Sequence, residues 1–573
     1  MRKTPSLLGL SRATRQIARA RVQSSVSLSR SAQIRHTSTN NGPGQKRGLV
    51  SLILGGFGLV ALGYEISQFT NQVSAPTPNG LSPVTFADRR GMLIAAREIQ
   101  EFLGDDAVSF DEDEIEARGF SDWSTSNSSG RAVAVVYPKT TEEVARAAQI
   151  CYKHNVPIVP YGAGSSVEGN ASSPYGGILI DLAQMNQIVA FHPEDMDVVV
   201  QPGVNWVDLN REIAHEGLFL PLDPSPTATI GGMVSTNCSG TNAFRYGTMK
   251  DWVVNVTVVL SDGRIIKTRR RPRKTSAGYN LTSLFVGAEG TLGIVTEITL
   301  KLAVVPKETS VAVVSFLTLS EAASAAAKII RSGVQPAALE LMDNVQMAVV
   351  NQHGSAEVRA MNWDETPALF LKFAGPSKET VVSDISRVKT LVQPYRPSRY
   401  VFAKSKQDEQ RIWAARKEAL WTMTSIKPEG HAIWSTDVAV PISRLAELID
   451  NSKQDAGKLG VFASVVGHVG DGNFHEAIMY NPKDAALHVA VGDTVHRMID
   501  RALEMEGTVS GEHAIGIGKM EALSQELGSD TIGVMQIVKH ALDPKWIMNP
   551  GKVFDLPVGS VAAAPRQSLI TRS

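Results

Sequence analysis

Cysteine is almost missing from this 573-residue chain: only Cys151 and Cys238 occur. Two thiols without metal-ligand spacing exclude a disulfide framework and a cysteine-ligated metal, and leave both as structural thiols. Acid is missing from the first 64 residues, which carry ten Lys or Arg and no Asp or Glu. The rest of the chain holds 47 basic against 57 acidic side chains, a net charge of −10. Such a body excludes nucleic acid as a partner. Internal repeats and long low-complexity tracts are also missing. Apolar residues make up 43% and charged residues 20% of the chain, as in soluble globular proteins, and the length calls for two or three domains.

The acid-free start reads as an address. Residues 1–47 contain Arg2, Arg12, Arg15, Arg19, Arg21, Arg30 and Arg35 among many serines, the composition of a mitochondrial presequence. The alternative is a disordered basic arm that binds an acidic surface. Gly48 to Tyr64 form an uncharged, mostly apolar run of 17 residues between Lys46-Arg47 and Glu65. Nothing folded precedes this run to bury it, so a transmembrane anchor in the inner mitochondrial membrane is expected over a core helix. Basic residues on its N-terminal side keep that side in the matrix and place the body in the intermembrane space. Residues 65–119 read as a linker and an N-terminal helical segment.

From about 129 strands and helices alternate. Arg131–Tyr137, Ile178–Asp181 and Val198–Gln201 predict strands, and Thr141–His154 has helical spacing with Thr140 or Thr141 as cap. Trp252–Leu260 and Ile265–Thr268, joined by Ser261-Asp262-Gly263, predict a hairpin. After Pro306 the strands Val311–Leu317, Ala368–Phe373 and Ile433–Val440 each precede an amphipathic helix, at 320–332, 378–392 and 442–458. The expected fold class is therefore α+β, with a first domain over 120–305 and a second α+β domain over 306–545.

The first chemical feature is Pro160-Tyr161-Gly162-Ala163-Gly164-Ser165-Ser166. Its glycines permit close backbone approach, and consecutive N–H groups with two hydroxyls suit a pyrophosphate. A dinucleotide fold of the Rossmann kind competes, because Asp181 follows Gly162 by 19 residues. Against it, Val167 occupies the third glycine position, and Pro157 and Pro160 would break a central strand. Further segments repeat the small-residue and hydroxyl theme: Pro224, Thr229-Ile230-Gly231-Gly232-Met233-Val234-Ser235-Thr236-Asn237, Tyr246-Gly247, and Glu289-Gly290-Thr291-Leu292-Gly293-Ile294. Four such loops within about 140 residues are hard to explain as turns, whereas a large planar ligand explains them together.

These loops, with the Gln201-Pro202-Gly203 turn, resemble the FAD-binding domain of the vanillyl-alcohol oxidase-type flavoproteins, over about 120–553. The resemblance implies a two-part flavin-binding domain followed by a cap. It implies that 160–166 cradle the pyrophosphate, and that Pro224, Thr229, Gly231, Gly232, Ser235, Thr236, Asn237, Glu289, Gly290 and Ile294 line the flavin and its ribityl chain. Positions 161–166 contain no histidine, so FAD is expected to be noncovalent.

In the second domain, Gly467-His468-Val469-Gly470-Asp471-Gly472-Asn473-Phe474-His475 places a glycine-rich turn between two apolar, strand-like runs. A symmetric hairpin would set His468 directly opposite His475, with Cβ atoms roughly 5 Å apart. Two imidazoles so placed can share one metal. Ser510-Gly511-Glu512-His513 follows a helical stretch at about 484–506 and offers a carboxylate and an imidazole that point apart. Two His and one Glu with open positions form a catalytic pattern; the alternative is four unrelated polar residues. Both motifs resemble those of D-lactate and D-2-hydroxyglutarate dehydrogenases. That resemblance makes His468, His475 and Glu512 ligands of a divalent metal, usually zinc, and His513 the base. It makes Arg416, on a helix, the substrate's carboxylate-binding residue, and Asn473 a contact of flavin or substrate. It also makes the start of 546–573 a C-terminal return to the flavin domain, with Asn549 against FAD; residues after 556 read as a disordered tail. Leu420 and Ser435 stand where the D-2-hydroxyglutarate branch carries a threonine and a lysine. Their identity favours a monocarboxylate such as D-lactate, oxidised to pyruvate.

The chemistry is then loss of a hydroxyl proton to His513 and of a hydride to flavin. In the intermembrane space the nearest soluble acceptor is cytochrome c, a basic protein that an acidic body would attract. The competing readings are a D-2-hydroxyglutarate-type dehydrogenase passing electrons to a quinone or another flavoprotein, a flavin enzyme without net redox such as alkyl-dihydroxyacetone-phosphate synthase, and a membrane-anchored flavin carrier without activity.

Overall fold

The computed structural model describes residues 81–121, 124 and 126–560. The presequence at 1–47, the apolar run at 48–64, the linker up to residue 80 and the tail after 560 lie outside the described residues. Within them, no helix is long and apolar enough to cross a membrane.

The first sheet has four strands in the order Val108–Ser109, Ala134–Val136, Ile178–Asp181, Ile158–Tyr161, and the last three are parallel. Thr140 caps the helix Thr141–His154 by accepting the Glu143 N–H, as its sequence predicts, and Asn155 closes it in the left-handed region. Val144, Ala148 and Cys151 from this helix pack on Ile158, Ile178 and Ile180. The helix Arg89–Leu103 adds Met92, Ala95, Ala96 and Ile99 to the same core. Pro160 sits in the edge strand of this sheet, where a missing N–H costs no interior ladder bond. The outer side of that strand is covered by the C-terminal return: the Ile158 N–H donates to the Ile547 carbonyl, and the Asn549 N–H to the Ile158 carbonyl, both at 2.7 Å.

A second sheet is wholly antiparallel, in the order Ile188–His192, Asp197–Val200, Ile294–Lys301, Val253–Val259, Ile265–Lys267. Its last pair is the predicted hairpin, with Val259 opposite Ile265. The helix Ile230–Thr236 packs Ile230, Met233 and Val234 into the core below it.

The third sheet, of eight antiparallel strands, is built from residues 308–480. Its strand Glu308–Ser315 is buried on both faces. Ala312 and Val314 join the helices Leu319–Arg331, Lys378–Val392 and Leu445–Leu459, while Val311 and Val313 join Met347 and Trp413 on the opposite side. Two-sided burial explains why the strand reads as a continuous apolar run rather than an alternating one. The single strand predicted over 433–440 is instead two, Ala432–Ser435 and Val438–Ala439. The break falls at Thr436-Asp437, whose polar groups serve the site described below. Residues 557–560, expected in a disordered tail, continue the packed return: Phe554 and Leu556 pack with Val84, Leu523 and Trp546, and Ser560 Oγ accepts the Val84 N–H at 2.9 Å. The described residues from 81 to 560 belong to one compact unit, and the chain passes from the second sheet to the third near residue 306.

Candidate active site

A cavity of about 790 Å³ lies where the three sheets meet. One wall is made by Pro160–Ser166, Pro224, Thr229, Gly231, Gly232, Ser235, Thr236, Glu289, Gly290, Ile294 and Asn549, and the other by Arg416, His468, His475, Glu512 and His513. Segments more than 350 residues apart in the chain thus meet at one space. Two predicted residues are not on the wall. Asn237 closes the helix Ile230–Thr236 with φ 50°, and its side chain accepts from the Lys250 N–H at 2.9 Å. Asn473 spends its amide on Asp437 Oδ1 and the Val438 carbonyl, both at 2.9 Å, and so braces the loops behind the site.

The first wall has features that suit a bound cofactor. Gly231 lies so close to Pro202 that an added Cβ would stand 2.5 Å from the proline Cβ, which lets the helix start reach the cavity. Thr229 Oγ1 is buried and has no partner, an unspent donor and acceptor at the same wall. Asn549 Nδ2 donates to the Glu289 carbonyl at 2.7 Å, and Lys552 Nζ to Asn549 Oδ1 at 3.1 Å, so the C-terminal return is stitched to the glycine loop.

The cluster of His468, His475, Glu512 and His513 is assembled differently from the expectation. The hairpin of Phe462–Gly467 and Asn473–Tyr480 pairs Val466, not His468, with His475. His468 lies two residues further on, on the same face by strand alternation. The turn closes between His468 and Asn473, whose N–H donates to the His468 carbonyl at 3.3 Å, and is braced from outside. The Gly470 N–H donates to the Leu339 carbonyl and the Val440 N–H to the Gly472 carbonyl, so neighbouring segments hold the turn in place. The two imidazoles still meet, edge to face with centroids 5.4 Å apart. Ligand atoms of His468, His475 and Glu512 lie within 4.8 Å of one another. Glu512 Oε1 is 3.0 Å from His468 Nε2 and 3.3 Å from His475 Nε2. The other ring nitrogens are occupied: His468 Nδ1 faces Glu340 at 2.9 Å, and His475 Nδ1 faces the Thr436 carbonyl at 3.0 Å. Such partners turn the Nε2 atoms inward, the arrangement that metal-binding histidines need. The donor set therefore fits a divalent cation. Asp437, His475 and His513 form a second group of converging donors.

Electrostatics follow from burial and pairing. Burial depresses the His468 imidazole, but Glu340 and Glu512 outweigh it and hold the pKa well above the ordinary value. Burial raises the Glu512 carboxyl, but His468 and His475 bring it well below the usual carboxylate range. Burial raises Asp437 too, and Lys519, His513 and His475 reverse the shift to well below the usual range. For His513 burial wins over the attraction of Asp437 and pushes the pKa down to about 4. Its ring stacks on His475 at 4.7 Å between centroids, and Nδ1 is buried without a partner.

Several residues of this site were not foreseen from sequence. Glu340, buried in the strand Ala338–Met342, accepts Arg416 Nη2 at 2.8 Å and Nε at 3.1 Å as well as His468 Nδ1. Asp437 gathers donors from Ser510, Glu512, His513 and Asn473. Ser239 Oγ and the Gly240 N–H hold Glu512 Oε2, the latter at 3.0 Å. The available signal was a lone carboxylate in an apolar strand, Ala338-Leu339-Glu340-Leu341-Met342, and another in Thr436-Asp437-Val438.

Comparison with known proteins agrees with this architecture. Residues 132–269 match the FAD binding domain family and residues 305–553 the family of FAD linked oxidases, C-terminal domain. The chain is 40% identical to the mitochondrial D-lactate dehydrogenase (cytochrome) of Kluyveromyces lactis, covering 88% of this chain and 89% of that protein. It is 44% identical to D-lactate dehydrogenase (cytochrome) 1 of Saccharomyces cerevisiae, over 73% of this chain and 72% of that one. In three dimensions it is similar to 4-ethylphenol oxidase from Gulosibacter chungangensis, with a TM-score of 0.69 at 17% identity, covering 83% of this chain and 99% of that one. The chain belongs to the FAD-linked oxidase family, with the two-part flavin-binding domain of the vanillyl-alcohol oxidase type and an α+β cap. Its cofactor is FAD.

Proposed function

We propose that the chain oxidises D-lactate to pyruvate on FAD and passes the electrons to cytochrome c. The observation that carries this reading is the meeting, in one cavity, of the FAD loops with Arg416 and the cluster of His468, His475, Glu512 and His513. The names of the relatives from Kluyveromyces lactis and Saccharomyces cerevisiae supply the substrate and the acceptor class.

FAD, when bound, supplies the acceptor for the hydride. A divalent metal held by His468, His475 and Glu512, zinc by the resemblance, would polarise the substrate hydroxyl. The chain's own residues do the rest. Arg416 presents a guanidinium fork to the carboxylate, and its tie to Glu340 fixes the direction of that fork. An imidazole nitrogen of His513 takes the hydroxyl proton. Because burial holds its pKa down to about 4, the ring is neutral and ready to accept at pH 7. Asn549 and the 160–166 loop bind the cofactor, and the loop lacks a histidine, so the attachment is noncovalent. Asn473 serves as a brace rather than as a substrate contact.

Leu420 and Ser435 line the cavity, as a monocarboxylate site allows. Lys417 and Lys427 reach the same cavity and could meet a second carboxylate, which keeps a D-2-hydroxyglutarate-type activity as the second reading. Initial rates of cytochrome c reduction with D-lactate, L-lactate and D-2-hydroxyglutarate separate the two. D-Lactate is expected to give the highest kcat/KM, and a preference for the dicarboxylate refutes the first reading. For location, the composition of residues 1–47, the apolar run 48–64 and the mitochondrial relatives support a mitochondrial inner-membrane protein whose body faces the intermembrane space.

A further inference from the structure

The segment Ser510–Gly516 carries Glu512 and His513, yet it belongs to no helix or strand. Its backbone N–H groups therefore need partners elsewhere. Two buried carboxylates provide them from opposite sides. From the cap, Asp437 accepts the N–H of Glu512 at 3.0 Å, the N–H of His513 at 2.9 Å and the Ser510 hydroxyl at 2.9 Å. From the flavin loop, Glu289 accepts the N–H of Ile515 at 2.9 Å and of Gly516 at 2.8 Å. Between the two clamps the chain turns, with Ala514 at φ 68° and Gly516 at φ 52°. A Cβ on Gly516 would stand 2.1 Å from the Glu168 carbonyl, so the loop runs hard against the 160–170 segment. Lys519 ties the two sides together: its Nζ is 3.3 Å from Asp437 Oδ2 and 3.4 Å from Glu168 Oε1. All four charged groups are buried. Hydrogen bonds from backbone N–H to a carboxylate are stronger than neutral ones and fix direction.

We propose that Asp437 and Glu289 are positioning residues that jointly fix the Ser510–Gly516 loop, one from the cap and one from the flavin domain, so that Glu512 and His513 are set against the flavin as one unit. The inference rests on the reading of His513 as the base and Glu512 as a metal ligand. Glu289 thereby has a task beyond lining the cofactor cavity: its carboxylate faces the catalytic loop.

The test uses the full-length, FAD-loaded protein and the variants Asp437→Asn, Glu289→Gln and the double variant. Each amide keeps the shape of the side chain but turns an NH2 toward a backbone N–H. Hydrogen exchange followed by mass spectrometry is expected to speed up by about tenfold or more over 510–517 in each single variant, with other cap peptides unchanged. The rate constant of flavin reduction at saturating D-lactate is expected to fall roughly 10- to 100-fold, with KM within about threefold, because the base is displaced while Arg416 is not. In the double variant the rate should fall little below that of the worse single variant, since one release already frees the loop. Unchanged exchange over 510–517, or a double-variant loss equal to the product of the single losses, overturns the proposal. If Asp437→Asn does not fold, Glu289→Gln decides by the same exchange measurement. His513→Ala reads the base separately: flavin reduction that survives in it refutes the base assignment, while the exchange data still decide the clamp.

Discussion

Replacing Glu340 by Gln tests the proposed metal site through the carboxylate that orients His468. Glu340 is buried and serves two cations at once, Arg416 through Nη2 and Nε, and His468 through Nδ1. A glutamine has one oxygen and one NH2. Arg416 offers two donors, so the oxygen stays with it and the NH2 faces His468. His468 Nδ1 must then become an acceptor, which puts the ring proton on Nε2 and points an N–H at Glu512 Oε1. That nitrogen has no lone pair left for a cation. Losing an orienting partner of a ligating histidine lowers metal affinity by roughly 10- to 100-fold. Losing one charge-assisted hydrogen bond costs about 1.5–3 kcal/mol of stability. The assay is zinc titration of metal-stripped Glu340→Gln, with FAD content and the KM for D-lactate at saturating zinc measured alongside. Weakened zinc binding with FAD retained and KM within about threefold is the expected result. Zinc affinity equal to that of the unmodified protein would refute the reasoning.

Other consequences are open to direct measurement. Lys539→Met should destabilise the protein by about 3–5 kcal/mol, because the buried Nζ is the partner of Asp543, the Thr291 carbonyl and the Met548 carbonyl, each at 2.6 Å; denaturant unfolding within about 1 kcal/mol of the unmodified protein would contradict this. His513 accepts a proton only when neutral, and its lowered pKa of about 4 extends the neutral form downward. So kcat/KM should stay flat from about pH 6 to 8 and fall only near pH 4, and an acid limb near the ordinary histidine value of about 6.5 would count against a buried base. The acidic body, at −10 beyond residue 64, should make the second-order rate with cytochrome c fall roughly tenfold from low to physiological salt. A salt-independent rate, with artificial dyes reduced quickly, would point to a quinone or another flavoprotein as acceptor.

What the sequence discloses is what local chemistry decides. The helix Thr141–His154 begins and ends where its cap residues place it, and the hairpin at 253–267 forms around Ser261-Asp262-Gly263. The glycine and hydroxyl segments at 160–166, 229–236 and 289–294 reach the cavity because close backbone approach is a property of those residues themselves, whereas Tyr246-Gly247 does not line it. The errors lie where tertiary contacts override local pattern. A symmetric hairpin would pair His468 with His475, but the turn closes between His468 and Asn473 and the register differs by two. Asn237 and Asn473 sit in glycine-rich motifs and look like ligand contacts, yet one closes a helix and the other braces a loop. Asp437 and Glu340 stand out in the sequence only as lone carboxylates beside apolar residues. Their partners lie 76 and 128 residues away, and no spacing rule connects such a carboxylate to a distant histidine.

The central claim is that substrate oxidation takes place at the cavity shared by the FAD loops and the His468, His475, Glu512 and His513 cluster. The most direct measurement is anaerobic stopped-flow absorbance of the FAD-loaded protein mixed with D-lactate, alongside His513→Ala carrying the same FAD. The account predicts that D-lactate bleaches the flavin band of the unmodified protein and that His513→Ala is slower by roughly 100-fold or more. A flavin that stays oxidised in the unmodified protein, or is bleached equally fast in His513→Ala, would contradict it.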